Sequence, residues 1–418
     1  MELRRVVITG LGAVTPLGKN TETYWQNLIN GVSGAATIAK FDAAKFKTQF
    51  ACEVKGFNPE NYFDRKDARK YDLYTQYGIV SSDEAIKDAG LDKEGAADKT
   101  RVGVIWASGI GGLDTLIYEV SAYLKGDGVP RYNPFFIPKM IADITAGHIS
   151  IRYGFMGPNF ATVSACASSA NALADAFNYI RLGKADVFVT GGSEAAINPA
   201  GVGGFNAMHA LSTRNDDPAT ASRPFDKERD GFVIGEGAGA LVFEELGHAI
   251  RRGAKIYAEV AGAGLSGDAY HITSPHPEGL GAILAMKAAI EDAELRIEDI
   301  EHINTHGTST PAGDIAEPKA IVTLFGEHAY TININSTKSM TGHLLGAAGA
   351  IEAIASILAV KHGIIPPTIN HFTDDPEIDG RLNFTFNKAQ QRNITIALSN
   401  TFGFGGHNAS LIFRKYNS

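Results

Sequence analysis

The stretch Val6-Val7-Ile8-Thr9-Gly10-Leu11-Gly12 has the pattern of a strand that opens one half of the chain. The stretch Ala258-Glu259-Val260-Ala261-Gly262-Ala263-Gly264 resembles it and opens the other half. A second motif, Ala85-Ile86-Lys87-Asp88-Ala89-Gly90-Leu91, recurs 204 positions later as Ala289-Ile290-Glu291-Asp292-Ala293-Glu294-Leu295. A helical pattern precedes each copy of this second motif, and a short apolar strand follows it. The same elements in the same order indicate two similar α/β halves joined by duplication.

The predicted boundary between the halves lies near residue 250, which gives a first half of residues 1–250 and a second half of residues 251–418. Two alanine-rich helical stretches, 166–182 and 343–360, are a third echo between them. Short apolar strands that alternate with helical patterns favour a largely parallel, buried sheet in each half. No linker separates the halves, so we expect them to pack as one body.

Composition excludes several classes of protein. Of 418 residues, 44% are hydrophobic and 20% are charged, which is typical of a globular chain with a sizeable core. The net charge of -8 argues against a nucleic-acid-binding protein, which needs a basic surface to neutralise phosphates. We find no run of eighteen apolar residues and no signal peptide, so the sequence predicts no membrane span. Two cysteines do not make a disulfide framework, and we expect a cytoplasmic protein.

One of the two cysteines stands in a setting suited to chemistry. Cys166 lies in the motif Ser164-Ala165-Cys166-Ala167-Ser168-Ser169, between an apolar strand pattern and an alanine-rich helix. A thiol at a helix N-terminus feels the positive end of the helix dipole, which stabilises the thiolate. Cys52 lies in an ordinary strand pattern, and we interpret it as a structural residue.

Two histidines stand in comparable loops. His306 belongs to Asn304-Thr305-His306-Gly307-Thr308-Ser309-Thr310, and His343 ends Lys338-Ser339-Met340-Thr341-Gly342-His343. A neutral imidazole in such a loop can donate an N–H to a developing oxyanion or act as an acid or base. Lys338 could keep a histidine neutral, and Glu352 on the following helix could pair with that lysine or with a histidine.

Other motifs favour neither a metal nor a nucleotide. The sequence has no His-Glu-x-x-His, no Cys-x-x-Cys and no clustered carboxylates, so we predict no metal site. Gly10-Leu11-Gly12 lacks the third glycine of a dinucleotide-binding motif. Phe402-Gly403-Phe404-Gly405-Gly406 is more suggestive, because its glycines free the backbone to aim an N–H at a ligand and the ring of Phe404 could swing as a gate. A simple glycine-rich turn is the alternative.

Four of these motifs together resemble a known family. Ala165-Cys166-Ala167-Ser168, residues 304–311, residues 338–343 and Gly403-Phe404-Gly405-Gly406 are similar to those of the β-ketoacyl-[acyl-carrier-protein] synthases, in the same order. The resemblance runs from Val6 to Phe413. Its Cys-His-His set looks like the elongating synthases I and II, and Ile110 resembles type II.

The resemblance implies a thiolase-like α/β fold, with two repeated halves in a five-layered αβαβα body, and a homodimer. It implies a decarboxylative condensation in fatty-acid elongation, in which Cys166 carries the acyl group and His306 and His343 stabilise the malonyl enolate. Backbone N–H groups of Cys166 and Phe404 would form an oxyanion hole. No cofactor is expected, because the substrates ride on the phosphopantetheine arm of acyl carrier protein.

The resemblance also implies contacts with substrate and carrier. We expect Thr308 and Thr310 to line the path of the phosphopantetheine arm, and Ile110 and Phe205, with Phe404, to shape the acyl pocket. Because the carrier of this family is acidic, docking needs a local basic surface. Its predicted members are Lys66, Arg69, Lys70 and Arg131.

Three alternatives stay open from the sequence. A ketosynthase of a polyketide or other specialised pathway would carry the same motifs. A thiolase would need a second cysteine as base, and Cys52 has no fitting motif. A non-catalytic partner such as a chain-length factor loses the nucleophile, whereas Cys166 is present. The preferred acyl chain length does not follow from these motifs.

Overall fold

A computed structural model of the chain describes residues 3–417. The elements of the first half are β1 (Val6–Val14), α1 (Thr21–Ile29), β2 (Ala36–Thr37), β3 (Phe50–Ala51), α2 (Arg65–Ala68), α3 (Leu73–Asp88), β4 (Val102–Ala107), α4 (Leu113–Lys125), α5 (Phe136–Met140), α6 (Ile144–Tyr153), β5 (Asn159–Thr162), α7 (Ser168–Arg181), β6 (Val187–Glu194), α8 (Pro199–Ala207), β7 (Gly237–Glu245) and α9 (Leu246–Arg251). Those of the second half are β8 (Ala258–Gly267), α10 (Leu280–Asp292), β9 (His302–Asn304), α11 (Gly313–Phe325), β10 (Asn333–Asn335), α12 (Lys338–Thr341), α13 (Ala348–His362), β11 (Ile364–Ile365), β12 (Gln390–Gln391), β13 (Ile396–Gly403) and β14 (His407–Arg414). The predicted boundary near residue 250 falls within α9.

The ten main strands form one sheet in the order β10-β9-β13-β14-β8-β1-β7-β6-β4-β5. This sheet consists of two sets of five strands with the same internal order, in which the third strand of a half lies outermost and the first lies at the centre. The two sets meet where β1 pairs antiparallel with β8. The repeated strand order confirms the two related halves that the sequence echoes predict.

The strand directions correct one prediction. In the first half β5, β4 and β6 are parallel, but β7 is antiparallel to both of its neighbours, β6 and β1. The second half repeats this pattern with β10, β9, β13, β14 and β8. Four of the five strands in each half therefore run in one direction, and the prediction of a largely parallel sheet fails only for the fifth strand, β7 or β14. The fourth and fifth strands run antiparallel, and in the second half a tight turn joins them, which is possible only for antiparallel neighbours.

Helices cover the strands in layers. α7 and α13 lie against each other and contact strands of both halves, so they form the central layer. α3 covers β1, β6 and β7 on one outer side, and α10 covers β8 and β14 on the other. The order of layers is therefore helix, strand, helix, strand, helix, as the resemblance implies. The largest apolar cluster includes residues of both central helices.

One helix is long and apolar enough to compare with the expectation about membrane spans. The 18 residues Leu345–His362, which include α13, have a mean hydropathy of 1.3 and are long enough to cross a membrane. The stretch is not an unbroken apolar run, because it contains Glu352, Ser356 and Lys361. In this structure 89% of the stretch is buried inside the protein, as is typical of a core helix. Its apolar composition follows from its central place, where both faces need apolar contacts.

Close contact between strand and helix explains the repeated motifs. A Cβ atom added to Gly10 of β1 would lie 2.1 Å from the carbonyl oxygen of Ala85 in α3. The same addition at Gly262 of β8 would lie 2.5 Å from the carbonyl oxygen of Ala289 in α10. Glycine in the strand and alanine in the helix therefore let each outer helix approach its sheet.

The acidic residues of the repeated motif have equivalent partners. The carboxylate of Asp88 accepts a hydrogen bond from the N–H of Leu11 at 3.1 Å. Asp292 accepts one from the N–H of Ala263 at 3.0 Å. In both halves the carboxylate near the end of the outer helix thus binds the first strand, which fixes the helix along the sheet.

Candidate active site

Cys166 lies in a sharp turn between a strand and a central helix. β5 ends at Thr162, residues Ala165–Ala167 form a single 3-10 turn, and α7 begins at Ser168. Ala165 has a φ of +50°, an unfavourable value for a residue with a side chain. The turn presents the sulfur to a cavity, while Cys166 keeps 8% of its surface exposed.

His343 lies directly against the sulfur. Its Nε2 atom is 3.0 Å from Cys166 Sγ, so a proton can pass between the two side chains. The backbone of His343 is held on both sides: its N–H donates to the carbonyl oxygen of Val233 at 2.7 Å, and its carbonyl oxygen accepts from the N–H of Gly235 at 2.9 Å. The imidazole is therefore fixed by the segment that leads into β7.

His306 completes a group of three reactive side chains. Its ring centre is 5.2 Å from that of His343, and the two rings are nearly perpendicular at 87°. The N–H groups of His306 and Gly307 donate to the carboxylate of Glu317 at 3.0 and 2.9 Å. This carboxylate on α11 fixes the loop after β9, so both imidazoles border the same space as the sulfur.

Both imidazoles are neutral near pH 7. Burial lowers the pKa of His343 well below 6.5, and the positive charge of Lys338 acts in the same direction. Burial also lowers the pKa of His306 well below 6.5, with further contributions from Lys338 and His343. A neutral imidazole can donate a hydrogen bond without adding a charge to the site.

Lys338 is the charged residue behind the histidines. It begins α12, is buried, and pairs with Glu352 of α13, which is also buried. Burial raises the pKa of Glu352 to about 7, although the lysine opposes this shift. The sequence allows a lysine or a histidine as the partner of Glu352, and the structure pairs it with Lys338.

The environment of the Cys166 thiol differs from the expectation of a stabilised thiolate. Burial raises the pKa of Cys166 to about 12, while the charge of Lys338 and the backbone N–H groups of Phe404 and Cys166 act in the opposite direction. Burial therefore outweighs the effect expected from a helix N-terminus. The resting sulfur is a thiol, and His343 is the neighbour that can accept its proton.

The three side chains line one cavity of about 350 Å³. Its wall also includes four of the predicted substrate contacts: Phe205, Thr308, Thr310 and Phe404. The hydroxyl groups of Thr308 and Thr310 lie 3.0 Å apart. Ile110 is not part of this lining, and its side chain is 40% exposed. Its contact with an acyl chain therefore stays a prediction.

Phe404 stands in the tight turn that joins β13 to β14. The N–H of Gly406 donates to the carbonyl oxygen of Gly403 at 3.0 Å, and Gly405 and Gly406 have positive φ values of 88° and 73°. Glycine is required at these two positions because a side chain would strain the backbone. The turn directs the N–H of Phe404 toward the Cys166 sulfur.

The four predicted docking residues fall into two groups. Lys66 and Arg69 are exposed, in and just after α2. Lys70 donates to Asp67 at 2.7 Å, and Arg131 pairs with Asp127 at 2.9 Å. The second pair is thus partly neutralised by neighbouring carboxylates, whereas the first pair presents its charge to solvent.

Sequence reasoning missed three buried carboxylates around the site: Glu194, Asp314 and Glu317. Glu317 holds the loop of His306, and Asp314 accepts from the N–H groups of Ser309 and Phe225. The sequence signal for one of them, Glu194, is its place directly after Gly191-Gly192-Ser193, at the end of an apolar strand pattern. Glutamate is mostly exposed in proteins, so that place alone does not predict burial.

Comparison with known proteins identifies families and relatives that match this chain. The family described as "Beta-ketoacyl synthase, N-terminal domain" matches residues 3–249, and "Beta-ketoacyl synthase, C-terminal domain" matches residues 257–372. A relative from Staphylococcus aureus (strain COL), named 3-oxoacyl-[acyl-carrier-protein] synthase 2, is 51% identical over 415 residues, which cover 99% of each chain. A relative of the same name from Synechocystis is 48% identical and covers 100% of this chain and 99% of its own.

Solved structures agree with this assignment. A beta-ketoacyl synthase from Burkholderia phymatum matches with a TM-score of 0.92 and 35% identity, covering 99% of this chain and all of its own. A type II polyketide ketosynthase, solved in complex with its acyl-carrier protein, matches with a TM-score of 0.91 and 34% identity over 99% of this chain and all of its own. With its cysteine and two histidines in one cavity, the chain belongs to the beta-ketoacyl synthase family.

Proposed function

We propose that this chain condenses an acyl group held on Cys166 with malonyl-[acyl-carrier-protein], and so lengthens a fatty acid by two carbons. The observation that carries this proposal is the contact of 3.0 Å between Cys166 Sγ and His343 Nε2, beside a second imidazole in the same cavity. A nucleophile that is also next to an enolate-stabilising pair can serve both halves of a condensation. The relatives named 3-oxoacyl-[acyl-carrier-protein] synthase 2 support the assignment to fatty-acid elongation.

The first half-reaction is acyl transfer. The Cys166 sulfur attacks the thioester carbonyl of an acyl carrier, its proton passes to His343, and the carrier leaves as a thiol after taking up that proton. The N–H groups of Cys166 and Phe404, which face the sulfur, stabilise the tetrahedral oxyanion. One such donor typically contributes about 3–4 kcal/mol to the lowering of the barrier.

The second half-reaction is decarboxylation and condensation. The neutral rings of His306 and His343 donate hydrogen bonds to the thioester carbonyl of malonyl carrier, and carbon dioxide leaves as the enolate forms. The enolate carbon attacks the acyl-Cys166 carbonyl, the carbon–sulfur bond breaks, and the sulfur takes up a proton from solvent, which replaces the one that left with the first carrier. Thr308 and Thr310 line the cavity and would contact the phosphopantetheine arm. The protein groups that these steps use are the side chains of Cys166, His306 and His343 and the backbone N–H groups of Cys166 and Phe404.

Two experiments with acyl carrier protein test this proposal. After incubation with acyl carrier, mass spectrometry of the native chain should show one acyl adduct on Cys166, and Cys166→Ala should show none. His306→Ala should still form the adduct but should lose condensation by about 10²-fold or more, because one enolate donor is missing. An adduct on another residue, or condensation by Cys166→Ala, would contradict the proposal.

A specialised pathway is the second function to distinguish. The polyketide ketosynthase among the solved structures shares the fold at 34% identity, below the 51% of the synthase from Staphylococcus aureus. Repeated extension with malonyl carrier separates the two functions. Unreduced chains with several keto groups would indicate a polyketide enzyme, whereas a single 3-oxoacyl product indicates elongation of fatty acids. We propose the latter, in the cytoplasm and without a resident cofactor.

Two partners belong to this proposal. Acyl carrier protein would dock on the positive charge of Lys66 and Arg69, with Lys70 and Arg131 as further contacts. A second copy of the chain would pair beside β5, the last strand at one end of the sheet. Exposed apolar side chains surround this edge: Ile151 is 80% exposed, Met156 is 68% and Val163 is 62%. An unpaired sheet edge with an apolar surround favours association.

A further inference from the structure

Glu194 is a buried carboxylate that the condensation mechanism does not use. It is the last residue of β6 and is fully buried. Its Oε1 accepts from the hydroxyl of Ser108 at 3.0 Å and from the N–H of Ile110 at 3.2 Å. Its Oε2 accepts from the N–H groups of Gly109 at 2.8 Å and Gly346 at 3.0 Å. The first three donors belong to one loop of the first half, and the fourth belongs to the second half.

The internal duplication relates the turn at Gly346, which Glu194 binds, to the turn at Cys166. The turn at Cys166 has a counterpart in the second half, where residues Leu345–Ala347 form a 3-10 turn just before α13. Ala165 and Leu345 have the same unusual φ, +50° and +49°. Gly346 therefore stands where Cys166 stands in the first half.

The strand ends correspond in the same way. β6 and β13 are the fourth strands of their halves, each has eight residues, and they end at Glu194 and Gly403. Gly403 lies against the Cys166 turn, since a Cβ atom there would be 3.1 Å from the nitrogen of Cys166. Glu194 lies against the equivalent turn and binds the N–H of Gly346. The two halves thus place a strand end against each turn.

The turns at Cys166 and Gly346 differ in the anion that their backbone N–H groups bind. At Cys166 the turn N–H faces the sulfur and is available to a transient oxyanion. At Gly346 the equivalent N–H is bound by a permanent carboxylate. No side chain fits at Gly346, because a Cβ atom would lie 2.7 Å from Glu194 Oε2 and 2.2 Å from the nitrogen of Gly109.

We propose that Glu194 is a positioning residue for acyl transfer. Its carboxylate occupies the position that corresponds, by the internal repeat, to the oxyanion site at Cys166, and it fixes the Ile110 loop against the turn that follows His343. This inference rests on the proposed function. Gly109 lies between the two turns, because a Cβ atom there would be 3.4 Å from both Ala165 O and Gly346 N. The carboxylate therefore holds Gly109, and through it the backbone beside Ala165 and Cys166.

Substitution with glutamine creates a defined mismatch. A carboxylate accepts with both oxygens, whereas an amide presents a donor on one side. In either orientation the NH₂ group of Glu194→Gln would face a backbone N–H, that of Ile110 or those of Gly109 and Gly346. The loop of Ile110 must then move relative to the Gly346 turn. An acyl chain long enough to reach that loop should be affected more than a short one.

The test compares acylation of Cys166 by hexanoyl and tetradecanoyl carrier protein in the native chain and in Glu194→Gln. We expect the rate with the tetradecanoyl donor to fall about ten-fold relative to the hexanoyl donor, since an unmatched buried donor typically costs enough for such a change. Glu244→Gln is the matched control. Glu244 is equally buried, near the opposite end of the neighbouring strand β7, and binds Thr9, Arg252 and His248. This control should lose stability without a change in the ratio of the two rates.

The outcomes are distinct. An equal loss with both donors, or no loss, in folded Glu194→Gln would overturn the inference. If that variant does not fold, Ser108→Ala decides in the same way, because it removes one donor and leaves the carboxylate in place. Absence of acyl transfer in the native chain would instead contradict the proposed function.

Discussion

At the scale of single residues, Lys338 and Glu352 form a buried pair of opposite charges behind the two histidines. The pair links the loop of His343 to α13 and keeps a positive charge near Cys166, where it lowers the pKa of the thiol against the effect of burial. A buried pair contributes less to net stability than its charges suggest, because both groups lose their hydration. Its value here lies in the electrostatic field at the site.

Replacement of Lys338 by methionine should be strongly destabilising at pH 8. Glu352 would be left buried without its partner, and at this pH either an unpaired charge or the uptake of a proton typically costs about 3–5 kcal/mol. Because burial already raises the pKa of Glu352 to about 7 and loss of the lysine would raise it further, the carboxyl protonates as the pH falls. The deficit relative to the native chain should therefore shrink between pH 8 and pH 6, as measured by urea unfolding.

An exposed pair provides the control. Arg296 donates to Asp299 at 2.7 Å, but its side chain is 76% exposed. Arg296→Ala should leave the free energy of unfolding nearly unchanged at either pH, because solvent screens an exposed ion pair. A Lys338→Met deficit that stays constant with pH would show that Glu352 is not the group responsible.

Single residues also show which parts of the site could be predicted from the sequence. Cys166, His306 and His343 could be predicted to act together, because each stands among small residues and the order of motifs is specific, although His343 follows the short helix α12 rather than a strand. Glu194 could not, since its partner Gly346 lies 152 positions away and nothing near Glu194 indicates the contact. Ile110 shows a further limit: its motif indicates a family position, but the cavity at Cys166 does not reach its side chain.

At the scale of elements, the contact of β1 with α3 depends on the absence of side chains. A Cβ atom at Gly12 would lie 1.9 Å from the carbonyl oxygen of Ser81. Gly12→Ala should therefore destabilise the fold by about 1–3 kcal/mol or more, because the helix must move away from the sheet. Gly147, within α6, has no atom within 4 Å of an added Cβ. Gly147→Ala should instead stabilise by up to about 1 kcal/mol, since alanine favours a helix. Thermal unfolding of both variants checks the two signs.

β9 carries a histidine whose ionisation opposes folding. His302 is buried, with Nε2 at 2.9 Å from the Asn335 side-chain oxygen, and burial lowers its pKa to about 4. The unfolded chain binds a proton at this residue below about pH 6.5, whereas the folded chain does not until about pH 4. This contribution to stability is therefore complete above pH 6.5 and is lost as the pH falls toward 4.

His302→Gln should flatten that dependence. The difference in unfolding free energy between native chain and variant should change by about 1.4 kcal/mol per pH unit between pH 6 and pH 4.5. Comparison of the two proteins cancels the contributions of His306 and His343, which titrate in the same direction. A difference that does not vary with pH would mean that His302 is accessible to protons in the folded chain.

At this scale the apolar pattern of the sequence predicts where the strands lie, whereas the connections between them decide their direction. Apolar runs indicate the strands and their order within each repeat, because the motifs recur in register along the chain. They do not indicate direction: β7 and β14 have the same apolar character as their parallel neighbours but run against them. Direction follows from the connection, and the turn at Phe404 is short enough to permit only one.

At the scale of the whole molecule, the apolar edge beside β5 predicts a dimer. Light scattering should give twice the chain mass of 44.5 kDa. Val163→Asp should shift the protein toward the single-chain mass, because a charge would be buried beside the paired edges. Ile250 of α9 is similarly exposed at 57% but lies away from this strand, so Ile250→Asp should leave the mass unchanged. A native protein of 44.5 kDa would contradict the predicted dimer.

Docking of an acidic carrier is the second prediction at this scale. The double change Lys66→Glu and Arg69→Glu should raise the Michaelis constant for acyl carrier protein by roughly 3–10-fold, and the effect should weaken at high salt. Activity with a small pantetheine thioester should be unaffected. Lys93→Glu, at an exposed position after α3, is the matched control. Equal losses with carrier and small thioester would show that the two residues act on the fold rather than on docking.

The crossed placement of turns and strand ends has a consequence for the independence of the two halves. Each turn is held by a strand end of the other half, so neither half can form its turn environment alone. Because both copies share a single polypeptide, their equivalent positions can differ. One crossing carries the Cys166 sulfur, and the other carries the Glu194 carboxylate bound to Gly346. The duplicated scaffold therefore holds one reaction centre and one rigid joint.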